Sequence, residues 1–146
     1  MCLELSPKHR EKTEEFRNSS KVLYGYKILQ VKEDSKYISP FQDFEFEVGK
    51  EYISTRDSTD LDEVEKIKLE VSHGFHFYTE IEEDYFCKEE NKICPYLHLH
   101  PHLHRCLGQY IWIKFEIKPK DLVAVGEFDS YNSFVAHKCK LVEIFQ

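Results

Sequence analysis

Alternation of apolar and polar residues is strongest in the second half of the chain. Residues 110–117, YIWIKFEI, carry isoleucine or phenylalanine at every second position. Because successive side chains of a strand point to opposite faces, this pattern predicts a strand with one buried face. Tyr110 and Trp112 occupy the other face, where we predict that they point outward and offer a recognition surface. A turn at 118–121 and a short buried strand, LVAVG, follow.

Similar reasoning predicts the remaining strands. Phe44, Phe46 and Val48 alternate with acidic residues and indicate a half-buried strand. Further strands are predicted over 22–31, 51–54, 67–71 and 73–79, and a closing strand over 134–145. Residues 55–66 are polar and acidic and favour a loop. These elements predict a mainly antiparallel sheet that ends in a β-meander.

Two short helices are expected. Ser6 and Pro7 form a typical N-cap and first-turn pair, and the strong helix formers after them predict a helix over 7–18 with Phe16 as its apolar anchor. Thr79 is followed three residues later by Glu82, which is a capping-box pattern and predicts a second helix over 80–87.

The chain has 146 residues, enough for one domain with a core that needs neither metal nor disulfide. We therefore predict a single α+β domain, mainly antiparallel sheet with two short helices and a Cys/His-rich excursion. Its parts are an N-terminal helical segment (1–20), a first sheet half (21–79), a helix with a Cys/His-rich insertion (80–108) and the C-terminal meander (109–146).

Composition narrows the classes of partner. The net charge of −7 disfavours nucleic acid and anionic membrane as partners. The apolar fraction of 41% is typical of a packed globule. No apolar run has the length of a membrane span or the form of a signal peptide, and the cysteine count of five is odd. The expectation is a cytoplasmic protein with reduced thiols.

The segment from Cys87 to Cys106, CKEENKICPYLHLHPHLHRC, holds the densest chemistry. Its histidines fall on every second residue, and Pro101 disfavours a helix there, so an extended ribbon would carry the imidazoles on one face. Imidazole nitrogens and thiolates are the ligands that zinc prefers. The candidate metal ligands are Cys87, Cys94, His98, His100, His102, His104 and Cys106.

Other interpretations of this segment stay open. Its cysteine spacing lacks the C-x2-C of zinc ribbons, so the histidines fit opportunistic metal binding or no metal role as well. In an oxidising compartment, a disulfide among Cys87, Cys94 and Cys106 is the alternative. Four neighbouring imidazoles would also gain charge below a pH of about 6.5 and form a pH-responsive surface.

Several short motifs together resemble small α+β domains of unknown function found in bacterial, phage and large-virus proteins. The motifs are Tyr26-Lys27, Ser39-Pro40-Phe41 with Gly49, Lys50 and Tyr52, GFHF from Gly74, IKPKDLVAVG over Ile117–Gly126, and KCKLV over Lys138–Val142. This resemblance spans residues 24–144 and implies an α+β fold without an activity. The Cys/His-rich stretch would be an addition to that scaffold.

A second resemblance concerns the step from Gly74 to Thr79. It is similar to a segment of ADP-ribosyltransferase folds in which a strand and a helix wall the nicotinamide pocket. The resemblance implies a pocket near Gly74–Thr79, with Tyr26, His76 and Glu143 as the candidate catalytic residues.

Two hypotheses for function result. The first is a non-enzymatic binding or regulatory domain, in which Cys94, Cys106 and two histidines hold a structural zinc that orders a loop for an unidentified protein or small-molecule partner. The alternative is an enzyme resembling an ADP-ribosyltransferase, or another nucleotide-using enzyme. The sequence favours the non-enzymatic hypothesis, because no motif joins the three candidate catalytic residues.

Overall fold

The computed structural model describes residues 3–4, 6–33, 36–39, 44–53, 70–71, 74–88, 91–95, 109–128 and 131–145. In chain order, the helix and strands are β1 (Leu3–Glu4), α1 (Pro7–Arg17), β2 (Leu23–Glu33), β3 (Lys36–Ile38), β4 (Glu45–Glu47), β5 (Glu51–Ile53), β6 (Glu70–Val71), β7 (Phe75–Tyr78), β8 (Phe86–Cys87), β9 (Lys92–Ile93), β10 (Tyr110–Ile117), β11 (Leu122–Phe128), β12 (Tyr131–Ala136) and β13 (Lys138–Phe145). Two 3-10 turns span Glu83–Tyr85 and Pro119–Asp121. The fold is mostly antiparallel sheet, which agrees with the α+β class expected from the sequence.

The described strands form one eleven-stranded sheet and one small hairpin. The main path of the sheet runs β5-β13-β10-β2-β7-β12-β11-β1-β6, and β3 pairs with β2 while β4 pairs with β3. The hairpin consists of β8 and β9. The predicted C-terminal meander is wrong, because only β11 and β12 are sequential neighbours there, whereas β12 pairs with β7 and β13 pairs with β10. The predicted closing strand is also two strands, divided at His137.

β10 lies at the centre of the sheet and pairs with β2 along its whole length, from Tyr110↔Gln30 to Ile117↔Leu23. The predicted buried face is confirmed, since Ile113, Phe115 and Ile117 are fully buried. The prediction for the opposite face is wrong. Tyr110 is only 8% exposed and Trp112 only 4%, because the hairpin and its preceding turn pack over them. Neither residue is therefore available as a recognition surface.

A large hydrophobic cluster, here called the interior cluster, covers one face of the sheet, here called the interior face. Aromatic rings form its centre: the Phe46 ring lies 5.2 Å from that of Phe115, 5.0 Å from Tyr52 and 5.9 Å from Phe75. Its buried members are Leu29, Tyr37, Phe46, Phe75, Phe77, Ile111, Ile113, Phe115, Ile117, Leu122, Phe134, Ala136, Cys139 and Leu141. Strands from both halves of the chain thus share one core.

Helix α1 confirms the predicted N-terminal helix. It begins after Ser6, whose extended backbone and the proline at the first turn match the cap pattern. The predicted anchor is wrong, since Phe16 is 40% exposed. The buried Thr13 fixes the helix instead: its hydroxyl donates to the His9 carbonyl at 2.7 Å and accepts from the Val125 amide of β11 at 2.9 Å.

The second predicted helix, over 80–87, is wrong. The chain makes only the 3-10 turn Glu83–Tyr85 and then enters β8. The hydroxyl of Thr79 donates to the Asn132 carbonyl at 3.3 Å, so the expected helix cap is engaged in a tertiary contact. Burial raises the pKa of Glu82, and the neighbouring carboxylates of Glu80 and Asp84 raise it further, so the acidic residues after Thr79 repel one another. Local signals for a helix are therefore overridden.

Several other expectations have defined outcomes. Phe46 is buried as predicted, but Phe44 and Val48 are exposed, so β4 is shorter than the alternation indicated. Residues 54–69 and His73, where a loop and parts of two strands were expected, lie outside the described residues. Within the described part of the chain, no helix has the length and hydrophobicity needed to cross a membrane.

The close approach of β2 to β7 gives a first prediction, for Gly25→Ala. A Cβ at Gly25 would lie 2.6 Å from Phe77 Cβ and 2.7 Å from Phe134 Cζ, inside van der Waals contact. We expect overpacking to lower the free energy of unfolding by about 3 kcal/mol, measured by urea denaturation. Gly49→Ala is the control. It has open space but a φ of +81°, and should cost only about 1 kcal/mol. Equal costs for both variants would contradict the packing described here.

Candidate functional site

A second hydrophobic cluster covers part of the outer face of the sheet. This outer cluster consists of Ile28, Tyr78, Tyr85, Cys87, Cys94, Tyr110 and Trp112. Tyr78 is its centre, because its ring lies 5.7 Å from that of Trp112 and its hydroxyl lies 2.8 Å from that of Tyr85. Tyr131 joins at the rim, where its hydroxyl donates to Asp84 at 2.7 Å and its pKa is raised by burial and by that bond. The rings hold the 3-10 turn against the sheet.

The outer cluster also fixes the start of the Cys/His-rich stretch. The Cys94 amide donates to the Tyr85 carbonyl at 2.8 Å, which closes the β8–β9 hairpin. Asn91 has a φ of 53°, a left-handed conformation that suits asparagine in a tight turn. Cys87 and Cys94 are both buried in the outer cluster. The structure therefore brings the first two candidate metal ligands onto one side of the hairpin.

The two cysteines differ in chemical state. Cys87 is a free thiol, whereas Cys94 is disulfide-bonded. A disulfide sulfur is not a thiolate, so Cys94 is no metal ligand in this state. The other candidate ligands, His98, His100, His102, His104 and Cys106, lie outside the described residues. Among the residues that the structure describes, no group of three ligating side chains occurs.

The candidate catalytic residues are only partly assembled. Strand register places Tyr26 and Glu143 on either side of Lys114. The Lys114 ammonium lies 3.9 Å from the Glu143 carboxylate and 4.3 Å from the centre of the Tyr24 ring. His76 does not join this open row, because it is buried, at 5% exposure, on β7.

The segment Gly74–Thr79 forms a central strand. β7 lies between β2 and β12, and all four of its side chains are buried. Gly74 has a φ of +104°, and a Cβ there would approach Val135 Cγ1 to 2.7 Å. The resemblance to transferase folds implied an α-helix after Thr79, but the described residues that follow it form only a 3-10 turn before β8. The segment is therefore packed on both sides where a nicotinamide pocket would need an open wall.

Lys27 is a buried amine that the sequence analysis missed. Its ammonium donates to the His76 carbonyl at 2.6 Å and lies 5.2 Å from the centre of the Phe77 ring. Burial lowers the pKa of Lys27 to about 8, and burial raises the pKa of the nearby Cys139 thiol to about 12. The burial of Lys27 could have been predicted from alternation along β2, because residues two apart on a strand share a face and Leu29 belongs to the interior cluster.

A charged cleft lies beside the ends of β10 and β13. It is shallow and open to solvent, and it is lined by Glu51, Glu116, Lys118, Asp121, Lys138, Cys139 and Lys140. Strand register aligns Glu51, Lys140 and Glu116 across three strands. Lys138 lies 3.5 Å from Glu51.

Asp121 is the buried carboxylate of this cleft, and three contacts hold it in place. Its amide donates to the Lys118 carbonyl at 2.9 Å, and its own carbonyl accepts from the His137 amide at 2.9 Å. Its Oδ1 lies 3.6 Å from His137 Nε2. The sequence could not reveal this group, because it combines residues from β5, the second 3-10 turn and β13.

Comparison of the chain with protein-family models, with curated proteins and with solved structures finds no match in any of the three. The geometry of these sites is therefore the basis for assigning a function.

The buried Lys27 predicts a specific pH dependence of stability. Its ordinary pKa is 10.5 and its folded pKa is about 8, so above pH 8 the unfolded chain binds more protons and stability rises with pH. Above 9.0 the raised pKa of Cys139 acts in the opposite direction, which leaves the interval from about 8 to 9 as the test window. We expect a gain of about 1 kcal/mol across it by urea denaturation.

Lys27→Met should abolish this gain, because it removes the titrating amine. Lys120→Met, at an exposed lysine, serves as the control and should retain the gain. A rise of the same size in Lys27→Met would show that another group is responsible.

Proposed function

We propose that this protein is a non-enzymatic binding domain that presents its Cys/His-rich stretch to a protein partner. The observation that carries the proposal is the burial of Cys87 and Cys94 together in the outer cluster, at the base of that stretch. A rigid base lowers the conformational entropy that a presented segment loses when it binds, and so favours recognition.

The aromatic packing holds the β8–β9 hairpin in a fixed position on the sheet, as the proposed role requires. β8 and β9 contribute only two residue pairs, Phe86↔Ile93 and Cys87↔Lys92, which is too few for a hairpin to be stable alone. Tyr85 supplies the missing support, because it contacts Tyr78, Trp112 and Tyr131 while its carbonyl accepts from Cys94. The positions of Cys87 and Cys94, at the start of the stretch, thus depend on the sheet.

The proposal includes a structural zinc in the reduced protein. Cys87 is already a thiol, and reduction of the Cys94 disulfide would supply a second sulfur on the same side of the hairpin. Histidines every second residue follow in the sequence, and two of them would complete a tetrahedral site. The cytoplasm, where the sequence leads us to expect the protein, keeps thiols reduced.

The transferase alternative has less support. His76, its candidate acid or base, is buried within the sheet, and the strand that should wall the pocket is covered on both faces. Tyr26 and Glu143 do share an open row with Lys114. That row contains the ion pair of Lys114 with Glu143, and Lys114 also makes a cation–π contact with Tyr24; both are ordinary features of a sheet surface.

The zinc content of untagged protein, purified under reducing conditions and measured by elemental analysis, tests this function. We expect close to one zinc ion per chain, and a lower melting temperature after chelation, because metal binding to the folded state stabilises it. Oxidation should release the zinc, since the disulfide of Cys94 removes a thiolate ligand.

Two matched cysteine variants make the experiment specific. Cys87→Ser should lose the zinc and become insensitive to chelator, whereas Cys139→Ser should keep both properties. Both residues are free and buried, but Cys139 belongs to the interior cluster. Zinc-free wild-type protein, or equal zinc in the two variants, would remove the metal from the proposal.

A further inference from the structure

We propose that Cys87 and Cys94 form a thiol–disulfide exchange pair, in which the free thiol of Cys87 takes over the disulfide bond that Cys94 makes to another cysteine. The structure holds both reactants in one place, because Cys87 is a free thiol, Cys94 is disulfide-bonded and both are buried in the outer cluster. This inference goes beyond the proposed function. It concerns the oxidised protein and does not depend on whether the reduced protein binds zinc.

The β8–β9 hairpin places the two cysteines on one face as neighbours. Cys87 pairs with Lys92, and two residues after Lys92 the amide of Cys94 donates to the carbonyl of Tyr85. Because residues two apart on a strand share a face, Cys87 and Cys94 are diagonal neighbours across the two strands. Both side chains therefore enter the outer cluster from the same side of the hairpin.

The separation expected for diagonal neighbours is close to the limit for a disulfide. The Cα atoms of such neighbours lie roughly 7–8 Å apart, whereas a disulfide needs a Cα separation of about 4.4–6.8 Å. A shift of the two strands by roughly 1 Å would therefore bring the sulfur atoms within bonding range. The hairpin can make this shift at low cost, because its ladder consists only of the pairs Phe86↔Ile93 and Cys87↔Lys92.

The exchange needs no external oxidant or reductant. The Cys87 sulfur, as its thiolate, attacks the Cys94 sulfur, so that an S–S bond forms between these two residues while the original S–S bond of Cys94 breaks. The sulfur of the former partner leaves as a thiolate and takes up the proton that Cys87 has lost. One disulfide and one thiol are present before and after the step, and only the position of the bond changes.

The exchange changes what the hairpin is tied to. Before it, the disulfide of Cys94 joins β9 to the partner cysteine, and Cys87 keeps its thiol. After it, the disulfide joins β8 to β9 and the former partner carries the free thiol. The exchanged hairpin has no sulfur left that could act as a thiolate, whereas the form described here retains that of Cys87. The two cysteines therefore switch the hairpin between two oxidised states.

The test is a disulfide map of the full chain, purified without reductant, freed of metal with a chelator and incubated under native conditions. Free thiols are blocked with N-ethylmaleimide at successive times, and the protein is then digested with trypsin without reduction. Cleavage after lysine and arginine separates the cysteines, so that peptide 69–88 carries Cys87, peptide 93–105 carries Cys94 and peptide 139–140 carries Cys139. Mass spectrometry then identifies which peptides are linked at each time.

We expect the link between peptides 69–88 and 93–105 to accumulate during incubation, and the link between 93–105 and 139–140 to be absent. Cys139 is the internal control, because it is also free and buried but belongs to the interior cluster on the opposite face of the sheet. Cys87→Ala, which keeps an apolar side chain in the outer cluster, should retain the original Cys94 bond throughout, and Cys139→Ala should behave like the wild type. A map in which Cys87 never joins Cys94, or in which Cys139 joins it as readily, would overturn the proposal.

Discussion

The antiparallel pairing of β10 with β2 is the constraint on which the rest of the structure depends. Eight residue pairs hold these two strands together, and hydrophobic clusters cover both of their faces. On the interior face β10 contributes four residues to the interior cluster, and on the opposite face Trp112 contacts the rings of Tyr78 and Tyr85. A strand buried on both faces cannot shift its register without exposing apolar side chains, so it fixes the positions of its neighbours.

That double burial has a cost, which is visible at Lys27. The lysine lies on the interior face of β2, where its ammonium is removed from water and its pKa falls to about 8. A carbonyl oxygen and an aromatic face compensate for part of the lost hydration. Cys139, nearby, responds oppositely because burial disfavours its thiolate. The core therefore contains two titratable groups whose charges are unfavourable for the same physical reason.

The sequence predicted what depends on local pattern and missed what depends on tertiary contact. Helix α1 and strands β2, β5, β7, β10 and β11 follow from capping residues, alternation and composition. The second helix failed because Thr79 bonds to Asn132, a residue 53 positions later. Trp112 was misplaced because its cover comes from a separate hairpin, and the charged cleft was invisible because its lining residues are remote in sequence. The alternation of apolar and polar residues shows which faces of a strand are apolar, but it does not show which part of the chain packs over each face.

The β-bulge between β10 and β13 has a consequence for chain length. Phe115 pairs with Leu141, but Lys114 pairs with Glu143, so Val142 is an extra residue without a partner in the ladder. After Val142, the alternation of side chains along β13 is shifted by one residue. Ile144 therefore packs against the interior cluster and Phe145 against the outer one. The extra residue Val142 thus sets which face of the sheet each later side chain of β13 points to. This effect depends on the presence of a residue at position 142 and less on which residue it is. Deleting one residue there would turn Glu143, Ile144 and Phe145 to the opposite faces of the sheet, so that Glu143 would point into the interior cluster and Ile144 away from it.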